Sequence, residues 1–236
     1  MADKEKSRNI RTLIDQFRTS DHWAVSLARD LIWVVVVVGC IALSLFLICG
    51  TWPAVVTIES PSMVPHMNVG DLVVVVQKDR YGTFETWADG NATTTPKFQE
   101  YGDVIIYKPN GMTTLHPIIH RAIQYVDTRP VTVIKGKNLT GNYTPPHAGY
   151  ITWGDHNSDP DQLAQLSGIG PIEPVKDEWI VGKALFTVPL VGYLPLNIIP
   201  VVIVVVIIIV LHELYLHRKE KEIPAKPQKK GVNKQR

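Results

Sequence analysis

Cysteine is almost missing from this chain: two occur in 236 residues, Cys40 and Cys49. Both fall inside one apolar run, so no disulfide staples the region that follows, which must hold itself together by its own core. A surplus of charge is missing too. The formal net charge is +2, and a chain so near neutrality invites no nucleic-acid partner. There is no internal repeat, and between residues 51 and 194 no helical stripe is long enough to cross over between parallel strands. An antiparallel sheet or a partly open barrel is therefore the expected core.

What the chain has instead is two long uncharged runs. Leu31 to Gly50, "LIWVVVVVGCIALSLFLICG", is twenty residues. At about 1.5 Å per residue it matches the roughly 30 Å hydrocarbon core of a bilayer. Leu194 to Leu211, "LPLNIIPVVIVVVIIIVL", is eighteen, with Asn197 and Pro200 interrupting its start. Both are rich in Val and Ile, yet a lone strand in lipid leaves its amides unpaired at several kcal/mol each, so both are expected as transmembrane helices. An h-region of a cleaved signal peptide is about 7 to 15 residues and lies nearer the start, which makes the first run a signal anchor.

Charge sets the orientation. Lys+Arg against Asp+Glu run six to five over residues 1–30, ten to fourteen over 51–194 and eight to three over 212–236. Basic flanks stay in the cytoplasm. The expected organisation is a cytoplasmic segment 1–30, a helix 31–50, an extracytoplasmic β domain 51–193, a helix 194–211 and a basic cytoplasmic tail 212–236. Three Asn-x-Thr triplets, at Asn91, Asn138 and Asn142, fall in the outer region, where glycosylation can reach them.

Strands are expected at Asp71–Gln77, Asp103–Lys108, Ile118–Val126, Pro130–Lys135 and Glu178–Val188, which are short and rich in β-branched or aromatic residues. Gly70-Asp71, Gly102-Asp103, "KPNG" at 108–111 and "DPD" at 159–161 separate them. The polar stretch Thr83–Glu100 lacks periodicity and is expected as a loop.

Three clusters can carry chemistry. Ser62, in "SPSMVP", lies between Pro61 and Pro65, which stiffen the backbone away from helix. A serine needs a base to attack a carbonyl, and the outer region offers His66, His116, His120, His147, His156 and Lys108. His120 stands among apolar, strand-like neighbours in "HPIIHRAIQYV". The third cluster, "WGDHNSDPD", gathers Asp155, Asp159 and Asp161, carboxylates of the kind that orient a histidine. The same loop spaces Asp155, Asn157, Asp159 and Asp161 like the start of a calcium loop, but Pro160 and Leu166 stand where glycine and glutamate are needed. His116 and His120 have the spacing of a helical metal pair, and in a strand they still share a face. Met63 and Met67 are available either to lipid and substrate or to plain packing.

In this order the clusters resemble type I signal peptidases, in the archaeal and endoplasmic-reticulum branch where histidine replaces the lysine of most bacterial members. "SPSMVP" is similar to that family's nucleophile box, "GDLVVV" at 70–75 and "GDVIIYKP" at 102–109 to its strand boxes, and "HR" at 120–121 to the base position. "GDHNSDPD" at 154–161 is similar to the acidic box and "VGKALFTVP" at 181–189 to the closing strand. The resemblance covers about Val56 to Pro189. It implies a membrane-anchored, mainly β, antiparallel coiled sheet and a serine endopeptidase that removes signal peptides from preproteins at the bilayer surface without a cofactor. It implies Ser62 as nucleophile, His120 as general base, Asp161 orienting His120, Asp155 as a second acidic site residue and Ser60 as an oxyanion donor. Whether the chain acts alone or beside the Sec translocon stays open. So do a Ser62–Lys108 dyad and, from another class, a non-catalytic tethered domain binding calcium or a partner through its acidic loop.

Overall fold

The computed structural model describes residues 15, 17–20, 22–135, 138–166 and 170–222. Helix α1, Trp23–Cys49, contains the first apolar run. Its 22-residue stretch Ala28–Cys49 is the one helix among the described residues long and apolar enough to cross a bilayer. The helix stops at Gly50, whose φ of +72° is open to glycine at little cost and lets its N–H close on the Phe46 carbonyl at 2.7 Å. The last carbonyls of a helix lack partners within it. Here Arg80 Nη2 donates to the Leu47 carbonyl at 2.7 Å, the Tyr81 hydroxyl to that of Ile48 at 2.9 Å and the Gln77 N–H to that of Cys49 at 2.9 Å. The cationic Arg80 also suits the negative end of the helix dipole.

Six strands follow in one sheet: β1 (Val55–Thr57), β2 (Leu72–Val76), β5 (Val104–Tyr107), β6 (Ile118–Val126), β9 (Gly149–Trp153) and β12 (Ile180–Val188). Every pairing is antiparallel, in the order β1-β2-β12-β5-β6-β9. The order ends on β1 and β9, which do not pair with each other, so the sheet is open and a barrel is not shown. Three two-stranded ribbons decorate it: β3 (Pro96–Lys97) with β4 (Glu100–Tyr101), β7 (Val131–Lys135) with β8 (Asn138–Tyr143), and β10 (Gln165–Leu166) with β11 (Gly170–Pro171).

The central strand β5 explains its own sequence. All four residues of "VIIY" are fully buried, because both faces of the sheet are covered and each takes alternate side chains. Val104 and Ile106 pack with Met63, Met67, Val73 and Val75, while Ile105 and Tyr107 pack on the other face with Ala122, Ile172 and Val175. Met63 and Met67 are thus core residues, with 1% and 0% of their surface exposed.

The expected loop 83–100 holds a seven-residue helix, α2 (Trp87–Thr93). Thr86 and Asp89 form a capping box, each side chain bonding the other's backbone N–H, and so satisfy two of the helix's orphan donors. So short a helix has no periodicity to reveal it. Asn91 is exposed on this helix; the side chains of Asn138 and Asn142 lie outside the described residues.

The second apolar run forms helix α3, Ile198–Glu222, preceded by a separate helical turn, Tyr193–Leu196. Asn197 breaks the two apart with a non-helical φ of −115°. The apolar part of α3, Ile199–His212, is shorter than a span. The structure thus carries a helix here, but it begins only at Ile198 and its apolar part is too short to show the span expected for 194–211, and with helices at both ends the class is mixed rather than mainly β.

Candidate active site

Ser62 is the middle residue of a 3₁₀ turn, Pro61–Met63. Proline suits the first position of such a turn because its φ is already set and its missing N–H would have no partner there. Ser60 precedes the turn in extended backbone (φ −127°, ψ 157°), and its Oγ lies 3.1 Å from the Oγ of Ser62. Met63, next in line, anchors the turn in the core.

His120 comes from β6, whose register sets Ile105 opposite His120 and Val104 opposite Arg121. Successive strand residues face opposite sides, so His120 shares the face of Ile105 and Tyr107, and Arg121 the face of Val104. His120 Nδ1 lies 2.8 and 2.7 Å from the two carboxylate oxygens of Asp161. Those oxygens accept, so Nδ1 carries the proton, and the lone pair of Nε2 is left to take another. Both residues are buried. The Tyr107 hydroxyl also donates to Asp161 Oδ2, at 2.8 Å, as does that of Thr152, at 2.6 Å. Burial, and after it the charge of Asp161, raise the Tyr107 phenol well above its ordinary value, which keeps it a donor.

Asp155, six residues earlier in the same loop, goes the other way. Arg121 grips it through Nε to Oδ1 at 2.9 Å and Nη2 to Oδ2 at 2.6 Å, and His66 Nδ1 adds a contact to Oδ2 at 2.8 Å. The Arg121 Nη1 donates onward to the carbonyls of Gly102, at 2.6 Å, and Lys97, at 2.9 Å. A planar guanidinium offers five donors in a fixed fork, which fits this wholly buried position. Asp161 and not Asp155 therefore faces His120, and Asp155 locks the loop to the strand and to the serine segment.

A cavity of about 500 Å³ joins the clusters. Ser60, Ser62, His120 and Asp161 line it, with Glu59, His116 and Asn157, and its apolar wall includes Val56, Ile58, Ile106, Ile119, Ala164 and Ile172. The acidic loop is fastened to the serine turn by the His156 N–H, which donates to the Ser62 carbonyl at 2.8 Å. Gly154 makes that approach possible. A Cβ there would stand 2.6 Å from Asn157 Nδ2, 2.8 Å from His120 Nε2 and 2.8 Å from the Ser62 carbonyl.

The remaining candidates lie elsewhere or serve other ends. His116 lies just ahead of β6, so the two histidines do not share a strand face, yet both line the cavity; His120 stands in the strand, which removes the helical metal pair. His147 contacts Glu173 Oε2 at 2.9 Å and the Ala148 carbonyl at 2.8 Å. Lys108 follows β5 at the turn Pro109–Gly111 and is not among the residues lining the cavity. The calcium spacing is not assembled: Asp155 and Asp161 serve opposite faces of β6, and among the described residues no three His, Cys, Asp or Glu side chains converge as a metal site would require.

The sequence by itself assigns no separate role to Tyr107, Thr152, Arg121 or Gly154. Tyr107 read as one more apolar strand residue, although a tyrosine in a fully buried strand usually needs a hydrogen-bond partner. Arg121 carried a comparable signal, a charge inside an apolar strand, which burial permits only with a partner.

No protein-family model matches this chain, and no curated protein matches it.

Proposed function

We propose that this chain is a membrane-anchored serine endopeptidase that removes N-terminal signal peptides from secreted and membrane preproteins. The observation that carries the reading is a cavity lined by both Ser62 and His120, with His120 held from behind by Asp161. The resemblance of six short segments to type I signal peptidases supplies the substrate class.

The chemistry is acyl transfer. Ser62 Oγ attacks the carbonyl carbon of the last signal-peptide residue while His120 Nε2 takes the hydroxyl proton. Asp161 offsets the positive charge that the imidazole then carries. The new oxyanion is met by the Ser62 N–H, which has no partner inside its own turn, and by the Ser60 hydroxyl. His120 returns the proton to the leaving amine, the bond breaks, and water hydrolyses the ester with His120 again as base. The mostly apolar cleft suits small uncharged residues beside the bond, and an extended substrate adds to the neighbouring strands.

Anchoring serves the same reaction, since enzyme and substrate confined to one plane meet at a higher effective concentration. Under this reading α1 and α3 both lie in the membrane, both tails stay in the cytoplasm and the β domain faces outward.

The test is cleavage of a secretory preprotein by the full chain in liposomes. Wild type cuts and Ser62→Ala does not; Lys108→Ala still cuts and His120→Ala does not. Undiminished cutting by Ser62→Ala overturns the assignment, and full activity in His120→Ala with none in Lys108→Ala moves the base to the lysine.

A further inference from the structure

Three adjacent strands of the sheet each send one polar side chain to the same carboxylate. Tyr107 from β5, His120 from β6 and Thr152 from β9 all contact Asp161, and Oδ2 alone receives Tyr107 at 2.8 Å, His120 at 2.7 Å and Thr152 at 2.6 Å. We propose that Tyr107 and Thr152 are positioning residues, whose hydroxyls hold the Asp161 carboxylate in the plane that presents His120 to Ser62. The proposal rests on reading Ser62 and His120 as the reacting pair.

The physical argument begins with what Asp161 lacks. It opens a three-residue 3₁₀ turn, Asp161–Leu163, after an extended Pro160, so no regular element fixes its side chain. A single contact from the histidine would leave the carboxylate plane to rotate with the ring. Two further donors from neighbouring strands remove that freedom. Gln162 then fixes Thr152 in turn: its Oε1 accepts the Thr152 N–H at 3.0 Å and its Nε2 donates to Thr152 Oγ1 at 3.3 Å. Tyr107 and Thr152 are fully buried and Gln162 nearly so. In such surroundings each hydroxyl has no water to turn to, and its bond to the carboxylate is costly to lose.

A sheet that needed only apolar filling would be served by a phenylalanine in place of Tyr107 and a valine in place of Thr152; the convergence on Oδ2 is what the hydroxyls add. Removing one donor also concentrates negative charge on the carboxylate, which favours the protonated imidazole. Glu59 and His116, the other titratable groups lining the cavity, are the same in every variant and drop out of the comparison.

The experiment uses the full chain in detergent, with histidines labelled by nitrogen-15, as wild type, Tyr107→Phe, Thr152→Val and Thr152→Ser. Two readouts are taken: kcat and KM for preprotein cleavage against pH, and the resonance of the His120 imidazole, which needs no substrate. In Tyr107→Phe and Thr152→Val, kcat is expected to fall roughly tenfold, the loss that goes with one charge-assisted hydrogen bond. KM stays within about twofold by the same reasoning, since neither hydroxyl meets substrate. The acid limb of the kcat/KM profile moves to higher pH, the His120 resonance shifts, and Thr152→Ser restores both. An unaltered kcat and an unaltered His120 resonance, with only a lower melting temperature, would overturn the proposal and leave plain packing. If wild type cuts no preprotein while the resonance still responds, the positioning role stands and the peptidase reading falls. If wild type cuts and the variants match it in both readouts, only the positioning role falls.

Discussion

His120 and Arg121 are consecutive residues of β6, and their side chains leave the strand on opposite faces to take one aspartate each from the same loop. His120 meets Asp161 and Arg121 meets Asp155. The loop is thereby pinned astride the strand. The alternation of a β-strand, a matter of backbone geometry alone, divides two similar carboxylates between the histidine that lines the cavity and a buried arginine.

Arg121→Ala takes both guanidinium bonds from the buried Asp155 and leaves its His66 contact in place. Removing one partner of a buried pair costs about 3–5 kcal/mol. The expected loss lies at the low end of that range, about 3 kcal/mol by the same rule, because His66 stays in place. A guanidinium unfolding midpoint for the full chain in detergent measures it; a change under about 0.5 kcal/mol, the size of an ordinary surface substitution, would show that the fork carries little.

Gly154→Ala separates activity from stability. The added methyl falls 2.8 Å from His120 Nε2 and 2.8 Å from the Ser62 carbonyl, so His120 and the Ser62 turn must move apart. Misplacement by about 1 Å can cost on the order of 100-fold in rate, whereas overpacking costs about 1–3 kcal/mol in stability. Preprotein cleavage and thermal unfolding of the same sample are the paired measurements, and a fully active, folded variant is the result that contradicts this view of the site.

On the peptidase reading, Ser60→Ala tests the proposed second oxyanion donor. The hydroxyl is 3.1 Å from Ser62 Oγ, within reach of a group bonded to the attacking oxygen. Loss of one such donor commonly lowers kcat by about 100- to 1,000-fold. The residual activity separates it from Ser62→Ala, which has none. Steady-state kinetics with KM little changed is the expected pattern.

Alkaline pH reads Tyr107 directly. Its phenol titrates well above the ordinary tyrosine value of 10.0, by burial first and the Asp161 charge second. With its folded value above its unfolded value, it contributes stability that is complete below pH 10 and is lost as pH rises beyond it. One such proton gives a slope of about 1.4 kcal/mol per pH unit in that window. Tyr143 and Tyr150 are raised in the same direction by burial, so Tyr107→Phe reduces the slope without abolishing it. Denaturant midpoints from pH 9.5 to 12, about the span of the tyrosine titration, are the measurement; identical slopes in wild type and variant would show that Tyr107 ionises freely in the fold.

Much of this architecture was legible in the sequence, in a way that follows the range of each signal. β6 is found at the expected Ile118–Val126, and β2, β5, β7 and β12 fall within one or two residues of expectation, since β-branched runs between Gly-Asp turns are local features. β9 is not among the expected strands. "GYITW" is only five residues, and its place at the sheet edge depends on pairing with β6. Helix α2 escapes notice because seven residues give two turns and no stripe. The Ser62, His120 and Asp161 boxes are visible as residue types, but their joining in one cavity depends on contacts spanning up to 99 positions in the chain, which no local pattern encodes. The division of labour between Asp155 and Asp161 needs the register of β5 against β6, which decides the face on which each partner waits.

The three bonds that close the end of α1 reach further than a helix cap. Arg80, Tyr81 and Gln77 are neighbours along the segment leaving β2, so the strand that borders β1 and the helix long and apolar enough to cross a bilayer are gripped at one point. With no slack there, helix and sheet behave as the stem and head of one tool. On the peptidase reading, the height of Ser62 above the lipid is then a built-in gauge, and the length of hydrophobic segment a preprotein must have before its cut point arrives is measured by the enzyme's own stem. Two or three glycines inserted after Cys49 would slacken the gauge and move the preferred cut, leaving the chemistry at Ser62 as it was.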